Sequence, residues 1–127
     1  MRNIYIHRDI VLADINTRLR VGQGETFTMS LQITNQDTNT PIDITDYTFS
    51  GQVRENFTTE TISADFTIAK DIPFDSGSIS VEIPSTTTAQ LSSRYYVYEI
   101  DMIDASDPPI VNRLLEGEFI VRGGVQQ

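Results

Sequence analysis

Hydrophobic and polar residues alternate with a period of two along most of the chain. In ETFTMSLQIT, Phe27, Met29, Leu31 and Ile33 fall on one side, with Thr28, Ser30 and Gln32 on the other. That is the pattern of a strand with one buried face. It returns at Tyr47, Phe49, Gly51 and Val53, at Ile62, Ala64, Phe66 and Ile68, and at Ile79, Val81 and Ile83. Tyr96, Tyr98, Ile100 and Met102 form a fifth run; Leu115, Gly117, Phe119 and Val121 form a sixth. Turn residues cluster between them at 35–41 (NQDTNTP), 71–77 and 104–109 (DASDPP), rich in types that bond their own backbone or tolerate left-handed conformations. Residues 85–91 (STTTAQL) predict one short helical turn, with Ser85 in the N-cap position. A seventh strand is expected at residues 18–21 or upstream. Strands of this length with turn signals between them predict an all-β fold, an immunoglobulin-like antiparallel β-sandwich of about seven strands with an extended N-terminal arm.

The predicted division is an arm at residues 1–21, a sandwich at 22–125 and a two-residue tail at 126–127. In the arm Ile4 and Ile6 alternate briefly, but Arg8, Asp9, Asp14, Arg18 and Arg20 interrupt any long strand. Such a segment either packs as an edge strand on its own domain or docks on a neighbouring subunit by strand addition. The glycines of VGQGETF let the chain turn from the arm into the sandwich. No Lys-Ser/Thr follows them, so this is no phosphate-binding loop.

With 127 residues, the chain has the size of one domain. Its 18 acidic residues against nine basic ones give a formal charge of −9. That field repels phosphate, which disfavours nucleic acid and anionic membranes as partners. There is no cysteine, which removes disulfides, thiolate metal sites and thiol nucleophiles. Charges break every apolar run well short of the roughly 18 residues of a membrane span, and no signal-peptide core is expected. The Asn56-Phe57-Thr58 sequon therefore lacks a secretory context.

Candidate chemistry is sparse. His7 is the only histidine and lies in the arm, away from any serine or carboxylate cluster. Glu99/Asp101 and Glu116/Glu118 are each two apart on a strand, which places each pair on the polar face, where alternating charge is ordinary. Asp43/Asp46 and Asp104/Asp107 sit in turns but spell no calcium loop. No catalytic residue, metal ligand, cofactor or small-molecule substrate is assigned. Tyr96 stands where a tyrosine corner would, with its hydroxyl on nearby backbone, and Tyr98 shares its face. Tyr95 points the other way, where a partner can reach it.

Read in order, Gly24-Glu25-Thr26-Phe27, residues 41–47 (PIDITDY), Gln52-Val53-Arg54, residues 91–100 (LSSRYYVYEI) and residues 113–121 (RLLEGEFIV) resemble the immunoglobulin-like domain of tailed-phage tail and baseplate proteins, similar to the N-terminal domain of baseplate upper proteins. The resemblance spans residues 21–125. Ser92, Ser93 and Arg94 stand where the family tends to have Pro and Gly, so that turn is expected to differ. The resemblance implies a non-enzymatic structural protein of a virion, made in the host cytoplasm. It would act as an assembly or attachment module in the tail, baseplate or fibre-attachment region. A head decoration or neck protein of the same fold, or a glycan-binding module, is the alternative. The implied partners are other phage structural proteins and copies of the chain itself. The residues expected to meet them are Arg2, Ile4, Tyr5, Ile6, His7, Arg8, Arg18 and Arg20 of the arm, together with Tyr95.

Overall fold

The computed structural model describes residues 2–8, 15–16, 18–35, 38 and 40–123, with the strand path alone for 2–8 and 15–16. Ten strands form along these residues: β1 (Arg2–Arg8), β2 (Ile15–Asn16), β3 (Leu19–Gly22), β4 (Phe27–Asn35), β5 (Thr48–Arg54), β6 (Ala64–Asp65), β7 (Thr67–Lys70), β8 (Ser78–Ile83), β9 (Arg94–Ile103) and β10 (Val111–Arg122). One sheet has the order β1-β4-β8-β7. The other runs β2-β10-β9-β5-β6, with β3 also on β10. The protein is an all-β sandwich, as the alternation predicts. Its body is antiparallel, whereas β1 on β4 and β2 and β3 on β10 pair in parallel. Among the described residues no helix is long and apolar enough to cross a membrane.

The inward positions of the alternating runs meet between the sheets. Met29, Ile33, Val53, Ile79, Ile83, Ile100, Leu115 and Phe119 are all fully buried. Aromatic rings form the middle of this core: Phe119 lies 5.3 Å from Phe27 and 5.9 Å from Phe66, and Phe66 lies 6.1 Å from Tyr98, all nearly edge to face. Edge-to-face pairing sets the positive rim of one ring against the negative face of the next. A bulge between Arg113 and Leu115 turns both Leu114 and Leu115 into the core.

The run at residues 62–68 is not one strand. Ala64–Asp65 pairs with β5 in one sheet and Thr67–Lys70 pairs with β8 in the other, so the chain changes sheets at Phe66. Alternation survives the crossing, since Ala64 and Phe66 are both buried. The period reports which way a side chain points, not which backbone its strand bonds. Ile62 lies before the crossing and is 43% exposed. Ser85 also departs from expectation. The helix α1 (Ser85–Thr88) has Pro84, not Ser85, in the cap position, and no side chain caps it. Thr88 ties it down instead, its hydroxyl donating to the Glu25 carbonyl at 2.7 Å.

The glycine turn is built as its sequence suggests. Gly24 has φ of 79°, and the Glu25 carboxylate accepts from the Gly22 amide at 2.9 Å. Gln23 donates from its side chain to the Leu91 carbonyl at 2.7 Å, which joins this turn to the segment after α1. Tyr96 forms the expected corner: its hydroxyl accepts from the Ser92 amide at 3.0 Å and reaches the Ser92 carbonyl at 3.3 Å. The sequon is an Asx turn, with Asn56 Oδ1 accepting from the amides of Thr58 and Thr59.

Candidate interaction surface

The outer face of the six-stranded sheet carries the side chains left over once the core is filled. Its register aligns them in rows. Glu116 on β10 faces Glu99 on β9, which faces Gln52 on β5. Opposed like charges are unfavourable, and Arg113 relieves them. Its guanidinium donates to Asp101 at 2.6 Å and to Glu116 at 2.9 Å, and lies 3.5 Å from Glu99. Burial opposes the charge on Arg113, but the Asp101 hydrogen bond and the fields of Asp101 and Glu99 outweigh it and hold its pKa above the ordinary value. Arg54 adds a second cation 3.6 Å from Glu99 and donates to Gln52 at 3.2 Å. Glu99 and Asp101 are thus locked in an arginine network, an arrangement that serves cohesion rather than proton transfer.

Further along the same face the character changes. Arg18 pairs with Glu118 at 2.8 Å. The next row consists of Arg20 on β3, Ile120 on β10 and Tyr95 on β9. Ile120 is nearly buried although it faces outward, while Tyr95 is 62% exposed. Arg122, two residues beyond Ile120, projects to the same side. Together with Ser93, Arg94 and Gly123 these residues line an open groove of about 860 Å³. Arg94 lies over the Tyr96 ring, 5.2 Å from its centroid, and pairs with Glu55 at 3.4 Å. Among the described residues neither Arg20 nor Arg122 joins an ion pair. An apolar floor rimmed by arginine and tyrosine is suited to holding an acidic, partly apolar protein segment.

Arg20 and Tyr95, expected as partner-binding residues, are thus brought together. Arg18 lies one row away, occupied by Glu118. Arg2, Ile4, Tyr5, Ile6, His7 and Arg8 follow a different path, in β1 along the edge of the other sheet, in register from Arg2 opposite Met29 to Arg8 opposite Asn35. The backbone of residues 2–8, 15–16 and 19–22 is laid on the two sheets of its own chain. Among the described strands β1 pairs with β4 alone, at the end of its sheet. Residues 126–127 lie outside the described residues. Arg94, Ile120 and Arg122 are not among the partner-facing residues that the sequence predicts. The signal was present: Phe119-Ile120-Val121 breaks alternation, and period two places Ile120 and Arg122 on one outward side.

The turn aspartates shape turns. Asp43 accepts from the amide and hydroxyl of Thr45. Asp104 accepts from the amide and hydroxyl of Ser106 and from the Ile110 amide at 2.8 Å. These bonds, the Thr45 hydroxyl foremost for Asp43 and the Ser106 hydroxyl for Asp104, hold both carboxyls below the ordinary carboxylate pKa. Among the described residues no group of three or more His, Cys, Asp or Glu is placed to hold a metal ion.

No protein-family model matches the chain, and no curated protein matches it in sequence. Among solved structures, the chain is similar to the N-terminal domain of phage TP901-1 ORF48. The TM-score is 0.52 at 10% identity, over 96% of this chain and 99% of that one. At that identity the likeness is one of fold. Weaker likenesses include the periplasmic chaperone SfaE, with TM-score 0.40 and 18% identity over 88% of this chain and 57% of that one. The internalin-like protein lmo2027 of Listeria monocytogenes gives 0.42 and 15% over 87% and 28%.

Proposed function

We propose that this chain is a non-enzymatic structural protein of a tailed-phage virion, an assembly or attachment module in the tail, baseplate or fibre-attachment region. The observation that carries this reading is the fold likeness to a phage protein's N-terminal domain over nearly the whole of both chains. The ordered motifs of the sequence support it independently. Those motifs build scaffold: Phe27, Val53, Tyr96, Tyr98, Leu115 and Phe119 are core. Function in such a module resides in its edges and its uncovered face. The edge strand β1 offers main-chain hydrogen bonds to a neighbouring strand, and the Arg20–Tyr95 groove offers a side-chain contact. The partners are other phage structural proteins and copies of this chain. The sandwich between is a rigid spacer that fixes their relative placement.

Deleting the gene from its phage and imaging the particles by electron microscopy tests the role. Tails lacking a discrete substructure, restored by the gene supplied in trans, are expected. Intact tails with missing head surface features would move the chain to a decoration or neck role. Unaltered, fully infectious particles would refute an assembly function.

A further inference from the structure

The two ends of the sandwich are chemically unlike. At the end where β3 and β10 finish and β9 begins, Arg20, Arg94 and Arg122 surround the Tyr95–Ile120 groove. The opposite end is built from the turns that follow β4, β7 and β9. Among the described residues these turns carry Asp43, Asp46, Asp71, Asp75, Asp104 and Asp107, with Lys70 beside them. Lys70, the last residue of β7, is engaged by the turn that follows β4. Its ammonium donates to the carbonyls of Ile44, Thr45 and Tyr47 at 3.3, 3.0 and 2.9 Å and lies over the Phe74 ring. Two apolar side chains protrude among the aspartates: Ile72, 87% exposed, between Asp71 and Asp75, and Ile110, 55% exposed, beyond Asp107.

We propose that the chain associates head to tail with a second copy of itself, the aspartate-rich turns of one copy seated in the arginine groove of the next. The groove end concentrates arginines and the turn end aspartates. The groove has an apolar floor and two arginines that join no ion pair among the described residues; the turns have apolar tips flanked by carboxylates. Seating Ile72 or Ile110 against Tyr95 and Ile120 removes apolar surface from water. The same step brings Asp71, Asp75 or Asp107 to Arg20 and Arg122, which sets the orientation of the contact. The contact is heterologous, so each pair keeps one free groove and one free set of turns. Growth continues until a ring closes or a filament extends. The association requires only this chain's own surfaces, so its absence would leave the virion reading standing.

Analytical ultracentrifugation of the full chain over a concentration range tests it. The mass should rise above that of one chain as concentration increases. A groove variant, Arg20→Glu with Arg122→Glu, and a tip variant, Ile72→Asp with Ile110→Asp, should each remain monomeric, with self-association weakened more than about tenfold. All four positions are on the surface or at its margin, and circular dichroism verifies that both variants fold. An equal mixture of the two should form a complex of two chains and nothing longer, because the tip of the groove variant fits the groove of the tip variant. Wild-type chain that stays monomeric up to about 1 mM, a variant that associates like wild type, or a mixture that stays monomeric would each overturn the proposal.

Discussion

Gly77 has φ of 68°, and a Cβ on it would lie 2.5 Å from the Ile33 carbonyl oxygen and 2.9 Å from that of Ile42. Gly77→Ala should therefore cost at least about 2 kcal/mol in urea unfolding, from strain and the forced backbone shift together. Gly51 is constrained differently. Its conformation is ordinary, but a Cβ would meet the Phe66 ring at 2.9 Å and Ile100 at 3.0 Å, so Gly51→Ala should cost about 1–3 kcal/mol through overpacking. Arg113→Met should cost about 1–3 kcal/mol, because it leaves Glu99, Asp101 and Glu116 together without their shared cation. The Asp104 carboxyl gives a pH signature. Its folded pKa is depressed, so its contribution is full above the unfolded value near about 3.9 and fades as pH falls through the lower folded value. NMR titration should find Asp104 below the ordinary carboxylate range, with the Ile110 amide shift following it. Asp104→Asn, which keeps an acceptor oxygen, should abolish that acid response.

At the scale of elements, β3 shows how far the N-terminal segment belongs to the body. Leu19 is fully buried and Val21 nearly so, both inside the main core. Leu19→Ala should cost about 2–5 kcal/mol; a loss below about 1 kcal/mol would mean that β3 contributes little to the fold. Phe66 is the other test, since it fills the core where the chain changes sheets. Phe66→Ala should cost about 3–5 kcal/mol. Strand positions were readable because burial of one face imposes period two, so Met29, Leu31 and Ile33 or Tyr96, Tyr98 and Ile100 identify themselves. Strand partners were not. Backbone hydrogen bonds are the same for every residue type, so nothing in ISADFTI reveals that Asp65 and Thr67 bond to different sheets. The parallel pairing of residues 2–8 with β4 was hidden for the same reason.

The whole molecule is a block whose recognisable motifs are internal and whose candidate contact surfaces are assembled from distant segments. Tyr95 was legible because it points opposite to Tyr96, and Arg20 because it is a cation in an acidic chain. Their meeting depends on β3 pairing with β10 and β10 with β9, which no local pattern encodes. Arg122 joins them for the same topological reason. The groove, the place of β1 at a sheet edge and the aspartate-rich turns therefore become visible only once the chain is folded. The most direct test of the virion assignment is quantitative mass spectrometry of gradient-purified particles from the phage that encodes this chain. The account predicts its peptides at a fixed number of copies per particle, co-migrating with the tail proteins after heads and tails are separated. Its absence from purified particles, with abundant expression in the infected cell, would contradict the account.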